Sequence, residues 1–276
     1  MRLVLNDSIV NNTAWPCVLS VAGSDSGAGA GIQADSKTCS ALGAYAVTAI
    51  TAITAQNSYQ VSQVQPLSAQ LVEAQMMAVL TDFPVAAIKL GMLCDADIVS
   101  AVVDVLKRYP QVPVVLDPVI VSTSGSELLS NAAISLMLSE LMPRVCVITP
   151  NIQEAACLLN CSTEQVLMAP EQALQGLKRG GDQAVLLKGG HRQGSQCEDL
   201  LLCDSGLEAF SAERVQTRNS HGTGCTLSTA IAVHLAKGCC LSESVGRAKQ
   251  YITGALKAAD QLGYGHGAGP LQHFFV

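Results

Sequence analysis

Short apolar runs rich in β-branched residues alternate along this chain with longer stretches in which apolar side chains recur every three or four positions. The short runs predict strands over 17–22, 45–54, 86–90, 113–116, 145–148 and 184–187, because a buried strand reads as a brief continuous hydrophobic run. The longer stretches predict helices over 30–42, 69–80, 96–108, 132–141, 152–159, 171–179, 225–236 and 243–260. Two further segments, 199–203 and 209–214, flank Asp204-Ser205-Gly206 and predict a hairpin. Strand and helix in alternation is the pattern of βαβ units, hence of an α/β protein built on a parallel sheet. No low-complexity run, linker or internal repeat divides the chain, so residues 1–276 are expected to form one domain.

The strands end where a core has no use for the residues. Val21 leads to Gly23 and Asp25, Leu90 to Gly91 and Met92, Leu116 to Asp117, Ile148 to Asn151, and Leu187 to Lys188. In an open parallel sheet the carboxyl ends of the strands form one edge, and ligands bind there. Any one of these endings is ordinary turn punctuation; five together point to a site.

Composition narrows the partners. The formal net charge is −6, from 16 Lys and Arg against 22 Asp and Glu, which argues against nucleic acid. With 49% hydrophobic and 14% charged residues the chain can fill a core. Its apolar stretches stop short of the ~18 residues of a membrane span, and Asn6, Asp7, Asn11 and Asn12 interrupt the place where a secretory signal would lie, so a cytoplasmic protein is expected. The 11 cysteines include no CxxC pair. They are expected to be reduced, for the most part small core residues, with no zinc site among them.

Four motifs carry chemistry. Gly23 to Gly31 is a glycine-rich loop leaving the first strand, where backbone amides can approach an anion. It lacks the acidic residue that a dinucleotide fingerprint places ~20 positions on, and neither GxxxxGK[ST] nor GxSxG occurs in the chain. His221-Gly222-Thr223-Gly224-Cys225 precedes an amphipathic run, which puts unpaired amides at a helix start and makes an anion hole. A thiol in that first turn should have a lowered pKa, which makes Cys225 a base or nucleophile; the alternative is a small buried cysteine after a flexible turn. Asn151 and Glu154 open a helix as cap and capping carboxylate, or as oxygens around hydrated Mg2+. Lys188 either contacts phosphate as a point charge or closes a strand at the surface.

Taken as a set, these segments resemble a family. Ala22 to Asp35, Ala41 to Tyr45, Thr54-Ala-Gln-Asn57, Lys89-Leu-Gly-Met92, Leu116-Asp-Pro-Val119, Thr149-Pro-Asn-x-x-Glu154, Lys188-Gly-Gly-His191, His221 to Thr226 and the terminal Gly265-His-Gly267 with Gly269-Pro270 are similar, in order, to hydroxymethylpyrimidine/phosphomethylpyrimidine kinase of the ribokinase-like superfamily. The resemblance runs from Val18 to the C-terminus; residues 1–16 form an N-terminal extension without family signal. Ala28 stands where the family usually has glycine, and Ala268 lengthens the terminal GHGP.

The resemblance implies a three-layer α/β/α sandwich with a mostly parallel central sheet, and a bifunctional kinase of thiamine biosynthesis. Such an enzyme uses ATP and Mg2+ to phosphorylate 4-amino-5-hydroxymethyl-2-methylpyrimidine and then its monophosphate. By the same token Gln56 would pair with the pyrimidine, Met92 and Val119 would pack its ring, and Asp35 with Gly23 and Asp25 would line the same pocket. Cys225 would be the base, with the Gly222, Thr223 and Gly224 amides stabilising the transferring phosphoryl group. Asn151, Glu154 and Asp117 would organise Mg2+, and Lys188 and Thr217, again with Asn151, would lie towards the nucleotide. A homodimer is implied as well. The competing readings are a pyridoxal kinase of the same superfamily, a non-catalytic pyrimidine- or nucleotide-binding module, and a Cys/His hydrolase built on His221 and Cys225, for which no orienting carboxylate stands in view.

Overall fold

The computed structural model describes residues 15–120, 128–190 and 194–275. The expectation for the N-terminal extension falls almost wholly outside them, as does His191. Nine strands form one sheet: β1 (Cys17–Asp25), β2 (Tyr45–Gln56), β3 (Val61–Pro66), β4 (Val85–Leu90), β5 (Val114–Leu116), β6 (Val147–Ile148), β7 (Ala184–Leu187), β8 (Gln196–Cys203) and β9 (Gly206–Glu213). Their order is β3-β2-β1-β4-β5-β6-β7-β8-β9. The pairs from β2 through β7 are parallel, and β3, β8 and β9 add antiparallel edges.

Side-chain alternation along each strand builds the layers. Leu19, Val21, Ile88, Leu90, Leu116, Ile148 and Val185 point into one core, which α2 (Ala69–Leu80), α3 (Ala96–Arg108) and α5 (Ile152–Leu159) cover. Val18, Ala87, Val115, Val147, Ala184 and Leu186 point the other way, under α8 (Thr223–Ala236) and α9 (Leu241–Ala258). This is the expected three-layer α/β/α sandwich. Alanines at 87, 184, 230 and 232 let α8 lie close to the sheet. Helix α1 (Gly31–Ala41) lies beside α8, and α4 (Asn131–Leu136), α6 (Thr163–Met168) and α7 (Pro170–Leu177) complete the set.

Local sequence explains most boundaries. Asp95 caps α3 by accepting from the Ile98 amide at 2.9 Å, and Lys107 and Arg108 close the helix against its dipole. The helix expected over 132–141 is broken: α4 gives way to a π-turn at Met137–Leu141 and a 3-10 turn at Met142–Arg144, where Pro143 supplies no amide and disfavours helix at Met142. Two elements were not expected. Helix α6 starts at Ser162, whose capping box with Gln165 was visible in the sequence. Strand β3 alternates apolar and polar only faintly and is mostly exposed. The cysteines also depart from expectation: all 11 are free thiols, but only Cys17, Cys39 and Cys94 are buried.

Candidate active site

The five strand ends converge. A cleft of about 690 Å³ opens at the carboxyl edge of the sheet, lined by Gly23 and Asp25 from β1, Met92 beyond β4, Asp117 and Val119 beyond β5, Asn151 and Glu154 beyond β6, and Lys188 beyond β7. Gln56 from β2 and the 221–225 segment complete the wall nearest β1, and Thr217 lies at the far end. Apolar Met92 and Val119 and the Gln56 amide are all among its lining, a mix that suits a flat ring with polar edges.

The glycine-rich loop supplies its own anion. Asp25 accepts hydrogen bonds from the amides of Gly27 (2.7 Å), Gly29 (3.0 Å) and Ala30 (2.9 Å), and its Oδ2 lies 2.9 Å from His221 Nε2. Burial pulls its pKa upward, but His221 and the loop amides outweigh burial and hold it below the ordinary value. Those amides are therefore spent internally; the loop is a brace, and its expected role as an open anion cradle is corrected. The brace reaches the helix start through His221, whose Nε2 also lies 3.2 Å from Gln56 Nε2. It is tight enough that Gly222, at φ 84°, has no room for a side chain: a Cβ there would lie 1.9 Å from the Gly29 carbonyl oxygen.

Beyond β5, β6 and β7 a lysine ties two carboxylates together. Lys188 Nζ lies 2.7 Å from Asp117 Oδ1 and 3.7 Å from Glu154 Oε2. Thr149 donates to the same Asp117 oxygen at 3.2 Å. Asn151 and Glu154 form a reciprocal capping box on α5, at 2.7 and 2.8 Å. Burial pushes the Glu154 carboxyl up to about 7, with Lys188 opposing and Asp117 reinforcing the shift. Burial alone would lower the Lys188 ammonium, yet Asp117 and Glu154 together raise it, so the lysine stays charged. Asp117, expected as a metal ligand, commits Oδ1 to Lys188 and Thr149 and anchors the lysine. Glu154 keeps Oε1 free of protein partners among the described residues.

Helix α8 begins over this pair. A Cβ on Gly224 would lie 3.3 Å from both Asp117 Oδ2 and Lys188 Nζ. The Thr223 amide donates to the Ser220 carbonyl at 3.3 Å, so of the three amides expected to face a ligand that one is occupied. Those of Gly222 and Gly224 have no partner among the described residues and belong to the end of a helix where donors go unpaired. Cys225, in the same turn, differs from expectation. Burial pushes its thiol up to about 11; Lys89 and the Gly31 amide lower it, and Asp35 and Asp117 raise it. Desolvation outweighs the groups that lower it.

A cleft lined by a thiol, free helix-start amides and a fixed cation suits the movement of a phosphoryl group, and comparison with known proteins agrees. The profile of the phosphomethylpyrimidine kinase family matches residues 25–272. The chain belongs to that family. It is a kinase, a transferase of ribokinase-like fold. Over 256 residues it is 48% identical to the hydroxymethylpyrimidine/phosphomethylpyrimidine kinase of Rhizobium meliloti, covering 93% of this chain and 96% of that one. Among solved structures, the phosphomethylpyrimidine kinase of Clostridium difficile 630 superposes with a TM-score of 0.73 at 38% identity, covering 88% of this chain and all 100% of that one. The pyridoxal kinase of Staphylococcus aureus in complex with AMP-PCP and pyridoxal superposes with a TM-score of 0.84 at 30% identity, covering 95% and 94%.

One expected pocket residue of this kinase lies elsewhere. Asp35 is fully buried behind the cleft wall, bonded to Lys89 Nζ (2.9 and 3.0 Å), Ser20 Oγ (2.5 Å) and Thr229 Oγ1 (2.7 Å), and it does not line the cleft. A carboxylate within an apolar helical run needed a buried cation, and the single lysine of β4 provides it. The far end of the cleft also holds residues that the motifs did not single out. Lys249 from α9 pairs with Asp199 from β8 at 2.6 Å, and Asp199 takes the Gly189 amide at 2.8 Å. Thr217 donates to Asp260 and accepts from the Asn219 amide at 3.1 Å. Lys249, a lone cation on the buried face of α9, was the signal available in the sequence.

Proposed function

We propose that this kinase transfers the γ-phosphoryl group of ATP to the hydroxymethyl group of 4-amino-5-hydroxymethyl-2-methylpyrimidine, and then a second phosphoryl group to the monophosphate. The observation that carries the reading is one cleft lined by the Gln56 amide, apolar Met92 and Val119, Cys225, the Gly222 and Gly224 segment and Lys188. The relatives named for these two activities, and the solved relative holding AMP-PCP, support it.

Phosphoryl transfer asks for positioning and for charge placed where charge develops. Gln56 offers one donor and one acceptor to an aminopyrimidine edge, while Met92 and Val119 pack the ring. Cys225, acting as the thiolate, accepts the hydroxyl proton as the new P–O bond forms and the bond between the γ-phosphorus and the ADP oxygen breaks, ADP leaving. The Gly222 and Gly224 amides and the Lys188 ammonium face the transferring group from the helix start and from β7. Glu154, with an unengaged carboxylate oxygen, and Asn151 beside it suit a hydrated Mg2+, which binds few protein oxygens and supplies charge neutralisation on the phosphates. The far end, with Thr217, Lys249 and Asp199, is left for the nucleoside.

A coupled ATP-consumption assay with hydroxymethylpyrimidine, its monophosphate and pyridoxal, products resolved by mass, tests the reading. Two successive phosphoryl additions to the pyrimidine alcohol are expected. A product from pyridoxal alone would overturn the assignment, and the neighbouring pyridoxal kinases make that arm worth running. The homodimer that the family resemblance implies and the cytoplasmic location expected from the sequence complete the proposal. Sedimentation tests the former and fractionation the latter. Among the described residues no helix is long and apolar enough to cross a membrane.

A further inference from the structure

Behind the cleft lies a charged cluster that the mechanism above does not use. Lys89 sits at an inward position of β4 between Ile88 and Leu90, both of which face the opposite core. Its side chain and that of Asp35 are 0% exposed. The ammonium makes its two hydrogen bonds to the Asp35 carboxylate alone, leaving one N–H without an acceptor among the described residues. Ser20 from β1 and Thr229 from α8 donate to the same carboxylate, so four elements meet there. Thr229 follows Cys225 by one helical turn and therefore lies on its face of α8. A Cβ on Gly91 would lie 2.9 Å from Lys89 Nζ, so glycine at that strand end lets the cation sit against the cleft floor.

A buried ion pair is poor value as structure, since well-packed apolar residues of the same volume generally stabilise as much or more. We propose that Lys89 is a positioning residue for catalysis, the buried countercharge that supports the thiolate form of Cys225 from beneath while Asp35 holds the lysine in place. The inference rests on the reading of Cys225 as the base. The charged groups around that thiol come from every element packed on it: Lys89 on β4, Asp35 on α1, Asp117 beyond β5 and Lys188 beyond β7, with the Gly31 amide added. Among them Lys89 is the largest charge acting to lower its pKa, and Asp35 acts against it.

This arrangement predicts opposite signs for two substitutions. Lys89→Met removes the countercharge, so the pH midpoint for iodoacetamide alkylation of Cys225, followed by peptide mass spectrometry, moves up by about one unit, and alkylation at pH 8 slows on the order of tenfold. Asp35→Asn leaves the cation without its carboxylate, so the same midpoint moves down. A merely structural cluster shifts both variants in one direction or neither, and that result overturns the inference. Circular dichroism checks the fold. If Lys89→Met does not fold, the charge-neutral pair Lys89→Met/Asp35→Asn takes its place, for which a smaller upward shift is expected and no shift overturns the proposal. Turnover is read separately. Cys225→Ser that retains full kcat removes the reading of Cys225 as base, whereas an inactive Cys225→Ser together with an unmoved alkylation midpoint removes the role of Lys89 alone.

Discussion

Acid should unfold this kinase through two histidines that lie outside the cleft. His234 ends α8 and His273 follows the C-terminal turn, with 7% and 2% of their surface exposed. Burial lowers both pKa values from 6.5 to about 4, helped by Lys237 and Arg247 near His234 and by Lys37 near His273. His234 Nδ1 has no partner among the described residues, and His273 Nε2 lies 3.1 Å from Thr226 Oγ1, next to Cys225. A histidine held neutral in the fold contributes stability that is fully present above its unfolded pKa and is lost as pH falls through the window from 6.5 to 4, because the unfolded chain binds the proton first. Lowering pH from 8 to 5 should cost about 2 kcal/mol for each histidine. Glu154 acts in the opposite sense: burial raises its folded pKa to about 7, so the fold binds the proton first and regains part of that loss over the same interval. The two histidines together outweigh Glu154, so a net loss of stability remains. Urea titrations in EDTA at pH 8 and pH 5 read it, and in the His234→Gln/His273→Gln variant the loss should turn into a gain. A double variant that keeps the wild-type pH dependence refutes the assignment.

Three further predictions concern the brace and the ion pair. Ala28 holds φ 57°, a left-handed conformation that favours glycine, so Ala28→Gly should raise stability by up to about 1 kcal/mol in urea titration. Gly222→Ala combines a left-handed φ with a 1.9 Å clash against Gly29, and should lose more than about 2 kcal/mol together with most of kcat; unchanged turnover would remove the tight contact between loop and helix start. Lys188→Met leaves Asp117 and Glu154 buried without their cation and should destabilise by about 3 kcal/mol or more, read as a lower thermal midpoint, with turnover abolished.

What was legible in the sequence was the scaffold and the rim. Strand runs that end in Asp25, Met92, Asp117, Asn151 and Lys188 located one sheet edge, because buried strands leave no other use for such residues at their ends. Strand β3 was not legible: Val61 and Val64 fall three positions apart and give no period-two face, and backbone pairing to β2 with the packing of Val64 holds it. Asp35 was misplaced because a carboxylate on α1 and a lysine on β4, 54 positions apart, become partners only through the layer packing. The Cys225 thiol was expected to be acidic from its place at a helix start, and the desolvation that outweighs this comes from elements far along the chain. The Asp25 loop misled for a related reason, since its amides look like a ligand cradle until their own carboxylate is found among them.

The central claim is that Cys225 takes the substrate proton at the start of α8. Cys225→Ser keeps the side-chain size close to that of the thiol and changes its acidity, and the direct test pairs its kcat on the pyrimidine alcohol with calorimetric binding of an ATP analogue. A base of this kind is worth on the order of 10²- to 10⁴-fold; a loss of kcat in that range with nucleotide affinity essentially unchanged is predicted. Comparable losses in turnover and nucleotide binding, or none in either, would contradict the account.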